Sequence, residues 1–167
     1  MDPVRKVPLY VPFLLALFAT LATTIWLPSS RLLCFSPFLA ILYQRTSLLK
    51  ALWIASGCGL ILDVTSAEWI LGAHALNFCL TTFLLYKQKR HFFMEGTLSL
   101  LLFTALISFV SSLLYFTLSA LFQRSSLFSF HSFLTELFLM PALDALYALV
   151  WFALPLKLFM AKKRIFR

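Results

Sequence analysis

The chain has 167 residues, of which 62% are hydrophobic and 12% charged, whereas a soluble domain carries about 25% charged residues. So little polar surface excludes a water-facing globule, and 7 Pro with 4 Gly exclude a disordered or low-complexity chain. The formal charge is +8, but the cations stand at the ends of apolar runs, where they orient a membrane protein instead of binding nucleic acid.

A helix crossing a bilayer needs roughly 20 residues, so the composition predicts a single integral membrane domain: an all-α, polytopic transmembrane helix bundle of six spans. The first is expected over 9–27. Arg5 and Lys6 precede it as in a secretory signal, but its length exceeds the roughly 7–15 residues of such a segment and no small-residue cleavage site follows. It is read as a retained span. The second stretch, 32–43, is short and contains Pro37, whose freed carbonyl neighbouring helices are expected to satisfy. The third, 51–62, is short too; both gain length if Arg31, Arg45 and Lys50 snorkel from their ends.

Within the third span Ala51, Ala55 and Gly59 stand four apart on one helix face, continued by Asp63. Small residues so placed let a second backbone approach closely. Together with Gly57 and Gly72 they are expected to make a helix-packing or partner contact, with packing inside the chain weighed above a subunit contact. From Asp63 to His74 the sequence holds no Lys or Arg. Asp63 and the Ser/Thr residues are expected to cap the chain as it re-enters a helix, and a binding role for Asp63, Glu68 and His74 stays open. The spacing is not that of a metal site.

The fourth span, 69–86, ends at the basic loop of Lys87, Lys89, Arg90 and His91. That loop is expected to set orientation, to attract anionic lipid or to meet a cytoplasmic partner; the cationic tail Lys162, Lys163 and Arg164 resembles it. The fifth span, 97–122, carries Thr104, Ser108, Ser111, Tyr115 and Ser119 at helical spacing. The sixth, 133–156, places Asp144 half-way along, after Pro141. A central Asp costs on the order of 2.5–3.5 kcal/mol to insert and faces the bundle interior. A polar seam of Asp144 with Ser108 and Ser111 is therefore expected between the last two helices; the alternative is serines scattered in a tolerant helix.

Orientation follows from the cations. With six spans and both termini cytoplasmic, 12 of the 14 Lys and Arg residues lie inside, leaving Arg31 and Arg124 outside. Treating the second stretch as re-entrant would put 11 of 14 outside, against the positive-inside rule. Trp26 and Trp69 then fall at outer ends and Tyr10, Tyr43, Trp53 and Tyr86 at inner ends, the depths such rings prefer. Cys34, Cys58 and Cys79 lie in or beside apolar stretches without CxxC spacing and read as buried thiols. No G-x-S-x-G, H-E-x-x-H or phosphate-loop motif occurs, so no enzyme, cofactor or metal is expected.

Gly57-Cys-Gly59-Leu-Ile-Leu-Asp63, a short Ser-containing turn and Gly72-Ala-His-Ala-Leu76 together resemble the central signature of MreD, the rod-shape-determining membrane protein family. The basic loop after the fourth stretch matches as well, while Glu68-Trp69 stands where the family often has Gly or Pro. The resemblance implies a non-enzymatic scaffold of the bacterial inner membrane. Its implied partners are MreC-like and MreB-like morphogenetic proteins and, through them, the peptidoglycan synthases. Substrate-binding subunits of vitamin transporters share the signature loosely, which leaves a solute-binding subunit as the alternative.

Overall fold

Leu, Phe, Ala and Ile dominate segments with few interior glycines, and such segments satisfy their backbone groups locally by coiling. A computed structural model describes residues 8–26, 33–65, 71–90, 97–123 and 135–153. They form an all-helical array without a strand among them: α1 (Tyr10–Trp26), α2 (Ser36–Arg45), α3 (Leu48–Thr65), α4 (Ala73–Leu85), α5 (Thr97–Gln123) and α6 (Met140–Tyr147). A 3-10 turn, Lys87–Arg90, follows α4, and π-helical turns, Thr135–Leu139 and Ala148–Ala153, flank α6. Arg31, Glu68, Trp69, His91, Arg124 and the cationic tail lie outside the described residues, and of Trp26, Lys89, Arg90 and Glu136 only the backbone is described.

α3 and residues Ser99–Leu121 of α5 are long and apolar enough to cross a membrane. α2 is different: its 10 residues reach about 15 Å, half of a hydrocarbon core of about 30 Å. Ser36 through Tyr43 are all buried, so α2 is wrapped by the other helices. Pro37 does not interrupt this helix, as its position in the apolar stretch suggested. It lies in the first turn, where a missing N–H leaves no hydrogen bond unmade.

α5 packs against α2, α4 and α6, and the most extensive pairing is α3 with α4. The core is built on Phe35, Phe38, Tyr43, Phe78, Phe103 and Ile107. Mixed with it are buried polar residues: Thr20, Ser36, Asp63, His74, Asn77, Thr81, Thr82, Thr104, Ser108, Ser111 and Asp144. The outside is the reverse. Tyr10, Phe18, Ile25, Trp53, Val64, Phe83 and Leu121 are all exposed, Trp53 to 76% and Val64 to 73%. Polar groups inside and large apolar groups outside invert the arrangement that water imposes.

At one end of the array the α2–α3 turn meets the end of α4, because the Tyr86 hydroxyl donates to the Thr46 carbonyl at 2.7 Å. Asp63 and the start of α4 lie at the opposite end of α3.

Candidate functional site

Two carboxylates are buried among the described residues, Asp63 and Asp144; Asp63 receives three backbone N–H groups at the start of α4, and Asp144 one, from Leu33 ahead of α2. Asp63 sits in the last turn of α3. Its Oδ1 accepts from His74 N at 2.9 Å and lies 3.0 Å from His74 Nδ1; its Oδ2 accepts from Gly72 N at 3.0 Å and Ala75 N at 3.3 Å. The first N–H groups of a helix have no partner within it, and here a side chain from the preceding helix supplies one. The negative charge also meets the positive end of the α4 dipole. With three backbone donors on it the carboxylate acts as acceptor, so the fourth contact requires a proton on His74 Nδ1 and fixes the tautomer. The outer face of the imidazole packs on Tyr115, ring centroids 5.3 Å apart.

Two glycines make this geometry reachable. Gly72 precedes α4 with φ +99°, left-handed backbone that strains any residue with a Cβ. Gly59, one turn before Asp63, lies directly on α4: an added Cβ would collide with Ala75 Cα and stand 2.6 Å from Ala75 N and His74 O. Ala51 and Ala55 are fully buried along with it, and Cys79 of α4 reaches the Leu52 carbonyl at 3.8 Å. The small-residue face is thus filled by this chain's own helix. Gly57 is not part of it. It is exposed, with nothing within 4 Å of an added Cβ.

Asp144 lies half-way along residues 135–153 and is fully buried. Its Oδ2 accepts from the Ser108 hydroxyl of α5, as expected of the polar seam. Its Oδ1 accepts from Leu33 N at 3.1 Å, just ahead of α2. The same junction gathers Cys34, 3.6 Å from the Thr23 hydroxyl of α1. Asp144 therefore joins α6, α5 and the start of α2, placing that start at mid-height in the array.

Ser111, expected on Asp144, turns instead to α4, where Asn77 Nδ2 donates to it at 2.9 Å. Thr104 returns its hydroxyl to the Leu100 carbonyl at 2.7 Å, and Tyr115 meets His74. The hydroxyl stripe of α5 is therefore shared between two neighbours, because successive residues three and four apart drift around the helix. Asn77 escaped the sequence reading. Its signal was present: it is the chain's only Asn, mid-way along an apolar stretch and in helical step with His74 and Thr81. Thr81 completes the group by donating to Asn77 Oδ1 at 3.4 Å.

Lys87 is exposed at the start of the 3-10 turn, and Lys89 and Arg90 continue that turn. No group of three or more His, Cys, Asp or Glu side chains among the described residues is placed to hold a metal. The arrangement joins helices through buried carboxylates. Compared with protein-family models, curated proteins and solved structures, the chain finds no match.

Proposed function

We propose that this protein is a multi-pass scaffold of the bacterial inner membrane, of the MreD type, which holds cell-elongation proteins by helix and loop contacts and performs no chemistry. The inverted polarity supports the membrane part: among the described residues, apolar side chains such as Trp53, Val64 and Phe83 cover the outside, and the buried set holds two aspartates and nine other polar residues. In water such a surface would aggregate; in lipid it is solvated. Six segments then thread the bilayer with both termini cytoplasmic, α2 as a half-length segment shielded by its neighbours, which is where short or irregular backbone is tolerated at membrane depth.

The observation that carries the scaffold part is the interlock of the signature residues. Gly59, Asp63, Gly72 and His74, which bear the family resemblance, converge on the single α3–α4 hairpin. A rigid hairpin is a platform for partners, and its inner face is already occupied by α4. An MreC-like single-pass partner is assigned to the opposite, lipid-facing side of α3, where Gly57 leaves a notch between Trp53 and Leu60.

Reporter fusions and partner capture test this. Fusions at the Lys87–Arg90 turn and at the C-terminus should both report cytoplasm, depletion should round the cells, and a photocrosslinker at Gly57 should capture a single-pass membrane protein of the wall-synthesis machinery. Opposite sides for the two fusions would refute the topology. Saturable binding of a vitamin-like solute, with an ATPase module co-purifying, would replace the scaffold by the transporter reading.

A further inference from the structure

We propose that the end of the bundle where the α2–α3 turn meets the end of α4 and its Lys87–Arg90 turn is a headgroup site for anionic phospholipid of the surrounding leaflet, an inference that rests on the membrane reading above. In sequence, Lys50 and Lys87 are far apart. In the fold they share one end, because Tyr86 O–H donates to the Thr46 carbonyl at 2.7 Å and the Tyr43 and Tyr86 rings stack edge-on at 6.3 Å. Both sides of this pin are themselves fixed. Thr46 is held to the Leu42 carbonyl by its N–H at 3.0 Å and its hydroxyl at 2.8 Å. Thr82 donates its hydroxyl proton to the Phe78 carbonyl, so the Tyr43 hydroxyl, 2.8 Å away, donates to Thr82.

Two features single out lipid over an acidic protein. First, the exposed stripe over the first turns of α3, ahead of Gly57, runs from Lys50 to Trp53 and Ile54. Residues three and four apart share a helix face, so cation, indole and aliphatic groups follow one another in the order of a leaflet's phosphates, interface and acyl chains. α4 repeats it, with exposed Phe83 and Leu84 leading to exposed Lys87. Second, Lys50 lies in the first turn of α3, which has no acidic residue. A cation at the positive end of a helix dipole is locally unfavourable, and a lipid phosphate beside the ammonium relieves it.

The test uses the purified full chain in a neutral detergent, titrated with phosphatidylglycerol or with phosphatidylcholine of the same acyl chains, and read by thermal shift and by retained lipid in native mass spectrometry. The wild type should prefer phosphatidylglycerol, less so as salt rises. Lys50→Gln and Lys87→Gln should each weaken that binding about fivefold. Tyr86→Phe keeps every charge but releases the pin, and should weaken it too. Equal binding of the two lipids overturns the site, as does an undiminished preference in the Lys→Gln variants; an undiminished preference in Tyr86→Phe overturns the joined site in particular. Binding of an acidic peptide such as polyglutamate without a lipid preference would assign the patch to a protein partner instead. A chain that fractionates as water-soluble in cells would fail the membrane reading itself, which separates the two failures.

Discussion

Asp63 and Asp144 solve one problem by different means. Asp63 collects four donors, all from the segment Gly72–Ala75 that begins the next helix. Asp144 collects two, from a hydroxyl on α5 and a backbone N–H ahead of α2. One carboxylate is a local cap that saturates its acceptor sites; the other is a long-range tie among three helices. A buried carboxylate with four donors is worth more than the sum of its caps, since removing it strands several N–H groups together. A tie with two donors is more easily replaced by another polar group.

The sharpest way to break the comparison is to push α3 off α4. Gly59→Leu, which meets backbone and cannot be accommodated by a rotamer change, should prevent the hairpin from closing, with a loss of order 3 kcal/mol or more; recovery of a wild-type melting curve in detergent would show that α3 and α4 do not approach so closely. Asp63→Asn comes next. Its amide N–H group faces donors, so two of the four contacts are lost at about 1–3 kcal/mol, readable as faster exchange of the Gly72, His74 and Ala75 amides. Exchange confined to other helices would refute the cap.

Asp144 gives a smaller and more diagnostic effect. Asp144→Leu leaves the Leu33 N–H and the Ser108 hydroxyl without it, for about 1–3 kcal/mol, although Ser108 can turn back to the carbonyl one turn earlier. Asp144→Asn keeps an acceptor for Leu33 and offers its amide to Ser108, and should be nearly neutral in melting temperature. Should Asn rescue stability but not cell shape, the carboxyl group itself is used; should Leu melt like the wild type, the tie carries no stability. Gly57→Leu should change stability least, within about 0.5 kcal/mol, and, on the proposed scaffold role, should abolish capture of a single-pass protein. Retained capture would move that contact elsewhere on the surface.

These differences also explain what was legible. The Asp63 contacts to Gly72–Ala75 span nine to twelve residues, so spacing along the sequence nearly dictates them, and capping by Asp63 follows from residue chemistry alone. The Ser108–Asp144 pair was foreseeable because both lie mid-way along adjacent apolar stretches. The Leu33 contact was not: it joins residues 111 apart and depends on where α2 begins, which hydropathy does not fix. The split of the α5 stripe, with Ser111 going to Asn77, depends on the angular position of α4 and α6 around α5. Gly57 stands off the four-residue stripe of Ala51, Ala55 and Gly59, and only the packed helices show that α4 covers the stripe and leaves Gly57 open.

By itself the sequence determined an all-helical chain with an apolar exterior, since few charges and long apolar runs admit no other way to satisfy both side chains and backbone. It determined a close-packing face on α3, through small residues at four-residue spacing, and a carboxylate a short loop away from the donors it serves, though not that α4 is what fills that face. The tertiary structure alone decided that α2 is buried on all sides and tied at mid-height by Asp144, and that the turns bearing Lys50 and Lys87 share one end. Such contacts depend on how helices distant in sequence rotate and dock, and rotation about a helix axis is set by packing against neighbours rather than by composition along the chain.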